Sequence, residues 1–119
     1  MPKIAYTLST CDTSKRILKN AHISSPEFEI RDIKTQAITE AELDQMKAMS
    51  GNYESLFSRR AQKYKAMELK DKELSENEIR ALILQEYTFL KRPVIIINEK
   101  IFIGNTKKNI ELLMKERGI

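Results

Sequence analysis

The chain has 119 residues, 21 Lys or Arg against 17 Asp or Glu, a net charge of +4 and a single cysteine. That length fits one compact domain, one cysteine excludes an internal disulfide, and the absence of a long apolar run excludes a transmembrane helix. The lysines are interleaved with carboxylates, as in Glu68-Leu69-Lys70-Asp71-Lys72-Glu73. The positive balance therefore reads as a mixed, solvated surface, and neither direct nucleic-acid binding nor a membrane partner is expected. The start, Met1-Pro2-Lys3-Ile4, passes at once into a strand-like pattern with no secretory leader. With a lone thiol, the cytoplasm is the expected compartment.

Ile4-Ala5-Tyr6-Thr7-Leu8 predicts a buried strand, and Asp12 to Ala21 a helix with Ile17, Leu18 and Ala21 on one face. Between them lies Ser9-Thr10-Cys11, so the cysteine stands at a helix start, where unpaired N–H groups and the helix dipole favour a thiolate. Pro26 biases Ser25 away from helix. Glu27 to Asp32 alternates polar and apolar and predicts a half-buried strand, completing a βαβ unit. Thr39-Glu40-Ala41-Glu42 and Ser75-Glu76-Asn77-Glu78 are capping boxes that open two helices. The first carries Leu43, Met46 and Met49 and stops at Ser50-Gly51-Asn52; the second carries Ile79, Leu82, Ile83 and Glu86. Between them, Tyr64, Met67 and Leu69 suggest a shorter helix, and the methionines and tyrosines as a group read as core. Val94-Ile95-Ile96-Ile97 predicts a central strand, paired through Asn98-Glu99-Lys100 with Ile101-Phe102-Ile103. Thr106 caps a last helix with Ile110, Leu113 and Met114 inward and Gly118 as its terminator. The order βαβ, helical insert, ββ, α predicts an α/β fold with a four-stranded mixed sheet.

Cys11 reads either as a buried structural thiol or, given its polar neighbours Ser9, Thr10, Asp12, Thr13 and Ser14, as a reactive one. Thr13 and Ser14 suit helix capping and suit holding a thiolate or oxyanion equally. Arg59, Arg60 and Arg92, each taken singly, read as surface cations. His22 reads as a helix-end residue rather than a catalytic base. One cysteine and one histidine make no metal set.

Three motifs in order narrow the choice. The loop Ser9-Thr10-Cys11-Asp12-Thr13-Ser14-Lys15-Arg16, the stretch Leu56-Phe57-Ser58-Arg59-Arg60-Ala61, and Lys91-Arg92-Pro93-Val94 together resemble the arsenate reductase (ArsC/Spx) family across essentially the whole chain. The resemblance implies a thioredoxin-like fold in one domain over residues 1–119, with a helical insert at about 39–90 and a cis-Pro93 facing the nucleophile. It implies that Cys11 attacks an oxyanion or a disulfide, that Arg92 and one of Arg59 or Arg60 hold the anion, and that glutathione or a glutaredoxin resolves the adduct. No bound cofactor is implied. Two features depart from the family. The arginine that arsenate reductases carry after the last strand is absent, and Gly104-Asn105-Thr106-Lys107-Lys108 stands there. The Cys-x-x-Cys switch of the Spx regulators is replaced by Cys11-Asp12-Thr13-Ser14, which rules out an intramolecular disulfide switch. The alternatives to an oxidoreductase are an Spx-like regulator that binds RNA polymerase and a non-catalytic glutathione-binding module.

Overall fold

A computed structural model of the chain describes residues 3–119. Met1 and Pro2, part of the stretch read as leaderless, lie outside the described residues. The chain forms two compact units. One runs to Ala37 and resumes at Arg92; the other spans Ile38–Lys91.

The first unit holds the sheet: β1 (Lys3–Thr7), β2 (Glu29–Asp32), β3 (Val94–Ile97) and β4 (Lys100–Ile103), in the order β2-β1-β3-β4. β1 runs parallel to β2 with Thr7 opposite Asp32, and antiparallel to β3 with Tyr6 opposite Val94. β3 and β4 are antiparallel neighbours. This is the expected α/β, four-stranded mixed sheet, and the Arg92–Pro93 bond is cis. The Ser25–Pro26 bond is cis as well. All four residues of β3 are buried, as a β-branched central strand requires.

Two helices of this unit, α1 (Asp12–Asn20) and α5 (Lys107–Arg117), share one core with the sheet. Ile17, Leu18 and Ala21 pack with Ala5, Ile95, Ile97, Phe102 and Leu113, and Ile110 and Met114 complete the cluster. α1 ends in a left-handed residue, His22 at φ 57°. The Ile23 N–H reaches the Leu18 carbonyl at 2.9 Å and the His22 N–H the Lys19 carbonyl at 3.1 Å, closing the helix as a glycine cap would. β2 departs from the expected pattern. It begins at Glu29 rather than Glu27; Phe28 is buried in the turn before it, while Ile30 is 38 % exposed. The strand lies at the sheet edge, so its alternation does not mark a buried face.

The second unit carries α2 (Glu40–Ser50), α3 (Gln62–Ala66) and α4 (Glu76–Gln85), with single 3-10 turns at Glu54–Leu56, Leu69–Asp71 and Tyr87–Phe89. Both capping boxes form, at Thr39 with Glu42 and at Ser75 with Glu78. Gly51 at φ 101° ends α2. Asp44 of α2 accepts from Arg80 of α4 at 2.9 Å and from the Tyr53 hydroxyl at 2.6 Å. Glu76 accepts from the Tyr53 and Glu54 N–H groups at 2.7 and 3.1 Å. Phe57 stacks on Phe89 with centroids 5.2 Å apart. Met46 is fully buried, but Met67 is 39 % exposed, so the reading of every methionine as core fails there. Met67 follows a five-residue helix, too short to present a continuous apolar face.

Arg117, on the last turn of α5, ties that helix to the end of α1. Its guanidinium donates to the Ala21 carbonyl at 2.9 Å and the His22 carbonyl at 3.0 Å, pairs with Glu27 at 3.1 Å and lies 5.0 Å from the Phe28 ring centre. Arg117→Ala is expected to lower unfolding stability by about 2 kcal/mol in urea titrations, from the two charge-assisted carbonyl bonds. Arg117→Lys should recover less than half, for want of the planar fork. Arg117 and Lys3 also hold the Glu27 carboxyl down at about 2. A carboxylate with a lowered folded-state pKa stabilises above its unfolded value and loses that contribution as pH falls. The Glu27 contribution should therefore fade between its unfolded pKa, roughly 4.3, and about 2. Glu27→Gln should flatten the acid limb of stability in that window; an unaltered limb would contradict the assignment.

Candidate functional site

Cys11 is the N-cap residue of α1, in extended backbone at φ −101°, ψ 102°. It arrives there because β1 ends at Thr7 and the chain turns sharply: the Cys11 N–H returns to the Leu8 carbonyl at 2.9 Å. The Cys11 carbonyl then accepts from Lys15 N–H at 3.2 Å and starts the helix. The thiol therefore occupies the position that Ser, Thr, Asp or Asn takes at an ordinary helix start. It is half-buried.

Ser14, the third helical residue, is fully buried beneath it, and its hydroxyl donates to Cys11 Sγ at 3.3 Å. As a neutral thiol the side chain makes no capping bond. The Ser14 main-chain N–H nevertheless faces the sulfur, so its attraction is realised when the sulfur carries charge. The antiparallel pairing of β1 with β3 brings Arg92 to the same end of the sheet, and its guanidinium also acts on the sulfur. Burial alone would raise the thiol pKa. The Ser14 hydroxyl and N–H and the Arg92 guanidinium outweigh it, and the thiol titrates below its ordinary value. The structure thus brings Cys11, Ser14 and Arg92 together within one unit, and the cis-Pro93 follows Arg92 in the chain. Thr13 is the second helical residue, half-buried beside them.

The other two arginines belong to the helical unit. Arg59 pairs with Glu54 at 3.3 Å and lies 5.4 Å from the Phe57 ring centre. Arg60 is exposed and lines, with Lys65, Lys70 and Lys72, a cavity of about 990 Å³ within that unit. Asn105, where the family's further arginine is absent, lies exposed between β4 and the Thr106 cap of α5. Thr106 accepts from Asn109 N–H at 3.2 Å, and Asn109 donates to the Gly104 carbonyl at 2.8 Å. Those residues serve the helix start. Among the described residues no group of three His, Cys, Asp or Glu is placed to hold a metal. No helix among them is long and apolar enough to cross a membrane.

One residue escaped the sequence reading. Asp32, at the end of β2, accepts from the Ser9 N–H at 3.4 Å and the Lys34 N–H at 3.1 Å. The signal for it was the parallel pairing itself, which ends both strands at one edge.

A parallel-antiparallel mixed sheet, a cysteine at the first helix start and a cis-proline just before β3 define a protein of the thioredoxin-like class. Within that class, the chain belongs to the ArsC family, whose model matches residues 6–113. It is 25% identical over 112 residues to the regulatory protein MgsR of Bacillus subtilis (strain 168), covering 93% of this chain and 86% of that one. Its fold is similar to that of an arsenate reductase from Vibrio cholerae, with a TM-score of 0.74, 18% identity and 97% of each chain covered. It is also similar to an arsenate reductase related protein from Brucella melitensis, with a TM-score of 0.68, 21% identity, and 94% and 93% of the two chains covered.

Ser14→Ala removes the hydroxyl bonded to the sulfur. It should raise the Cys11 pKa and slow iodoacetamide alkylation at neutral pH about five-fold, the worth of one such hydrogen bond. Equal rates in the two proteins would show that Ser14 does not stabilise the thiolate.

Proposed function

We propose that the protein is a one-thiol oxidoreductase of the arsenate reductase type. Its nucleophile is the Cys11 thiolate, and its resolving thiol comes from outside the chain. The observation that supports this most directly is the Ser14 hydroxyl at 3.3 Å from Cys11 Sγ, on a sulfur that Arg92 also attracts. That environment lowers the thiol pKa and supplies cationic charge where an anion would meet the sulfur.

With an arsenate-like oxyanion, the thiolate displaces hydroxide from the pentavalent centre and forms a sulfur–arsenic bond. A glutathione thiolate then attacks the Cys11 sulfur. The bonding pair passes to arsenic, which leaves as the trivalent oxyanion, and Cys11 is left in a mixed disulfide with glutathione. A second thiol, from glutaredoxin or glutathione, attacks that disulfide and restores the Cys11 thiolate. With a disulfide substrate the first step is thiol exchange and the resolution is the same. Arg92 holds the anion during the first step, and Thr13 and Ser14 offer hydroxyl and N–H donors. Arg59 is engaged by Glu54 and Phe57 within the helical unit. Cys11-Asp12-Thr13-Ser14 has no second thiol, so every turnover needs the external donor.

A second reading has its own support. The relative from Bacillus subtilis is named a regulatory protein, and it matches nearly the whole chain. In that reading the domain binds a protein partner, with RNA polymerase the candidate. Affinity capture of RNA polymerase by the tagged protein, equal for wild type and Cys11→Ser, would favour this reading over catalysis.

For the reductase, the purified protein is assayed for arsenate reduction and for reduction of glutathione mixed disulfides, with glutathione and glutaredoxin present. Turnover by the wild type is expected, with loss to background in Cys11→Ser and a fall of about 100-fold in kcat/KM for Arg92→Ala. No turnover by the wild type on either substrate class would overturn the proposal.

A further inference from the structure

The loop that carries Cys11 is held from a side opposite to Arg92. β1 and β2 run parallel with Thr7 opposite Asp32, so both strands release the chain at one edge of the sheet. Just past it the Ile33 N–H donates to the Thr7 carbonyl at 3.0 Å. This fixes Asp32 against the outgoing end of β1. Its Oδ1 accepts from Lys34 N–H at 3.1 Å and from Ser9 N–H at 3.4 Å. The Ser9 side chain also acts on the carboxylate; against the burial that would raise it, this and the two N–H groups hold Asp32 below the usual carboxylate range. Ser9 itself is exposed and lies two residues before the nucleophile. Within that turn, the Cys11 N–H is tied back to Leu8.

We propose that Asp32 is a positioning residue for Cys11. Its carboxylate clamps Ser9, and the Leu8–Cys11 turn transmits the clamp to the direction in which the sulfur faces Ser14 and Arg92. This rests on the reading of Cys11 as the nucleophile. The groups that act most strongly on the sulfur are Ser14 and Arg92, and Asp32 works through the main chain. The charge of a carboxylate near a thiolate site is unfavourable. Its use at this position is therefore as an acceptor, and the neutral amide of asparagine should serve nearly as well. The charged group that acts on the Asp32 carboxylate is Lys34 on the same turn.

The test compares alkylation of Cys11 by iodoacetamide across pH in wild type, Asp32→Asn and Asp32→Ala, a readout that needs no substrate. Asp32→Ala should slow alkylation at neutral pH about five-fold and move the thiol titration upward, while Asp32→Asn stays within about two-fold of wild type. Faster alkylation in both variants would mean that only the charge matters, and would overturn the proposal. So would a fast wild-type thiol that Asp32→Ala leaves unchanged. A wild-type thiol that reacts like free cysteine overturns the nucleophile reading, and the proposal with it. If Asp32→Ala loses its fold by circular dichroism, Ser9→Ala carries the test by removing only the hydroxyl on the carboxylate. It should slow alkylation about two-fold, and no change there overturns the proposal.

Discussion

The antiparallel register that sets Tyr6 of β1 opposite Val94 of β3 is the constraint on which the site depends. β1 ends where β3 begins, so the residues just after the one and just before the other lie at the same end of the sheet. Cys11 and Arg92 are distant in the chain and become partners only through that register. A one-residue slip would turn the alternating residues of β3 to opposite faces and carry Ile95 and Ile97 out of the core they share with α1 and α5. The same buried strand that anchors the fold therefore sets the electrostatics of the thiol.

The thiol itself replaces a conventional cap. At most helix starts a small oxygen-bearing side chain satisfies the exposed N–H groups. Here a sulfur stands in that position, with Ser14 buried beneath it as donor. The helix gains little from the neutral thiol and more from its anion, so the local folding requirement and the chemical one favour the same charge state. Absence of a second cysteine separates this site from a self-contained switch. Near Asn105 no arginine stands, and the exposed Lys107 and Lys108 there offer point charge without a fork.

Much of this was legible in the chain. The capping boxes at Thr39 and Ser75, the Thr106 cap, and the β-branched run Val94–Ile97 are local signals, and the structure forms each of them. The cysteine at a helix start was equally local. What escaped were features made by distant residues meeting. Asp44 with Arg80, Arg117 with the end of α1, and Asp32 with Ser9 all involve charges that look in the sequence like any solvated surface residue. The edge strand β2 misled for a related reason: Phe28 and Ile30 alternate as a half-buried strand should, but only the first has neighbours to cover it.

The central claim is that Cys11 is an activated single thiol that forms a covalent adduct and needs an external thiol to release it. Intact-mass spectrometry after exposure to oxidised glutathione tests it most directly, with peptide mapping and a parallel sample of the chain unfolded in urea. One glutathione should attach at Cys11, faster in the folded protein than in the unfolded one at mildly acidic pH, and glutaredoxin with reduced glutathione should remove it. A folded protein that forms no adduct, or forms it no faster than the unfolded chain, would contradict the claim.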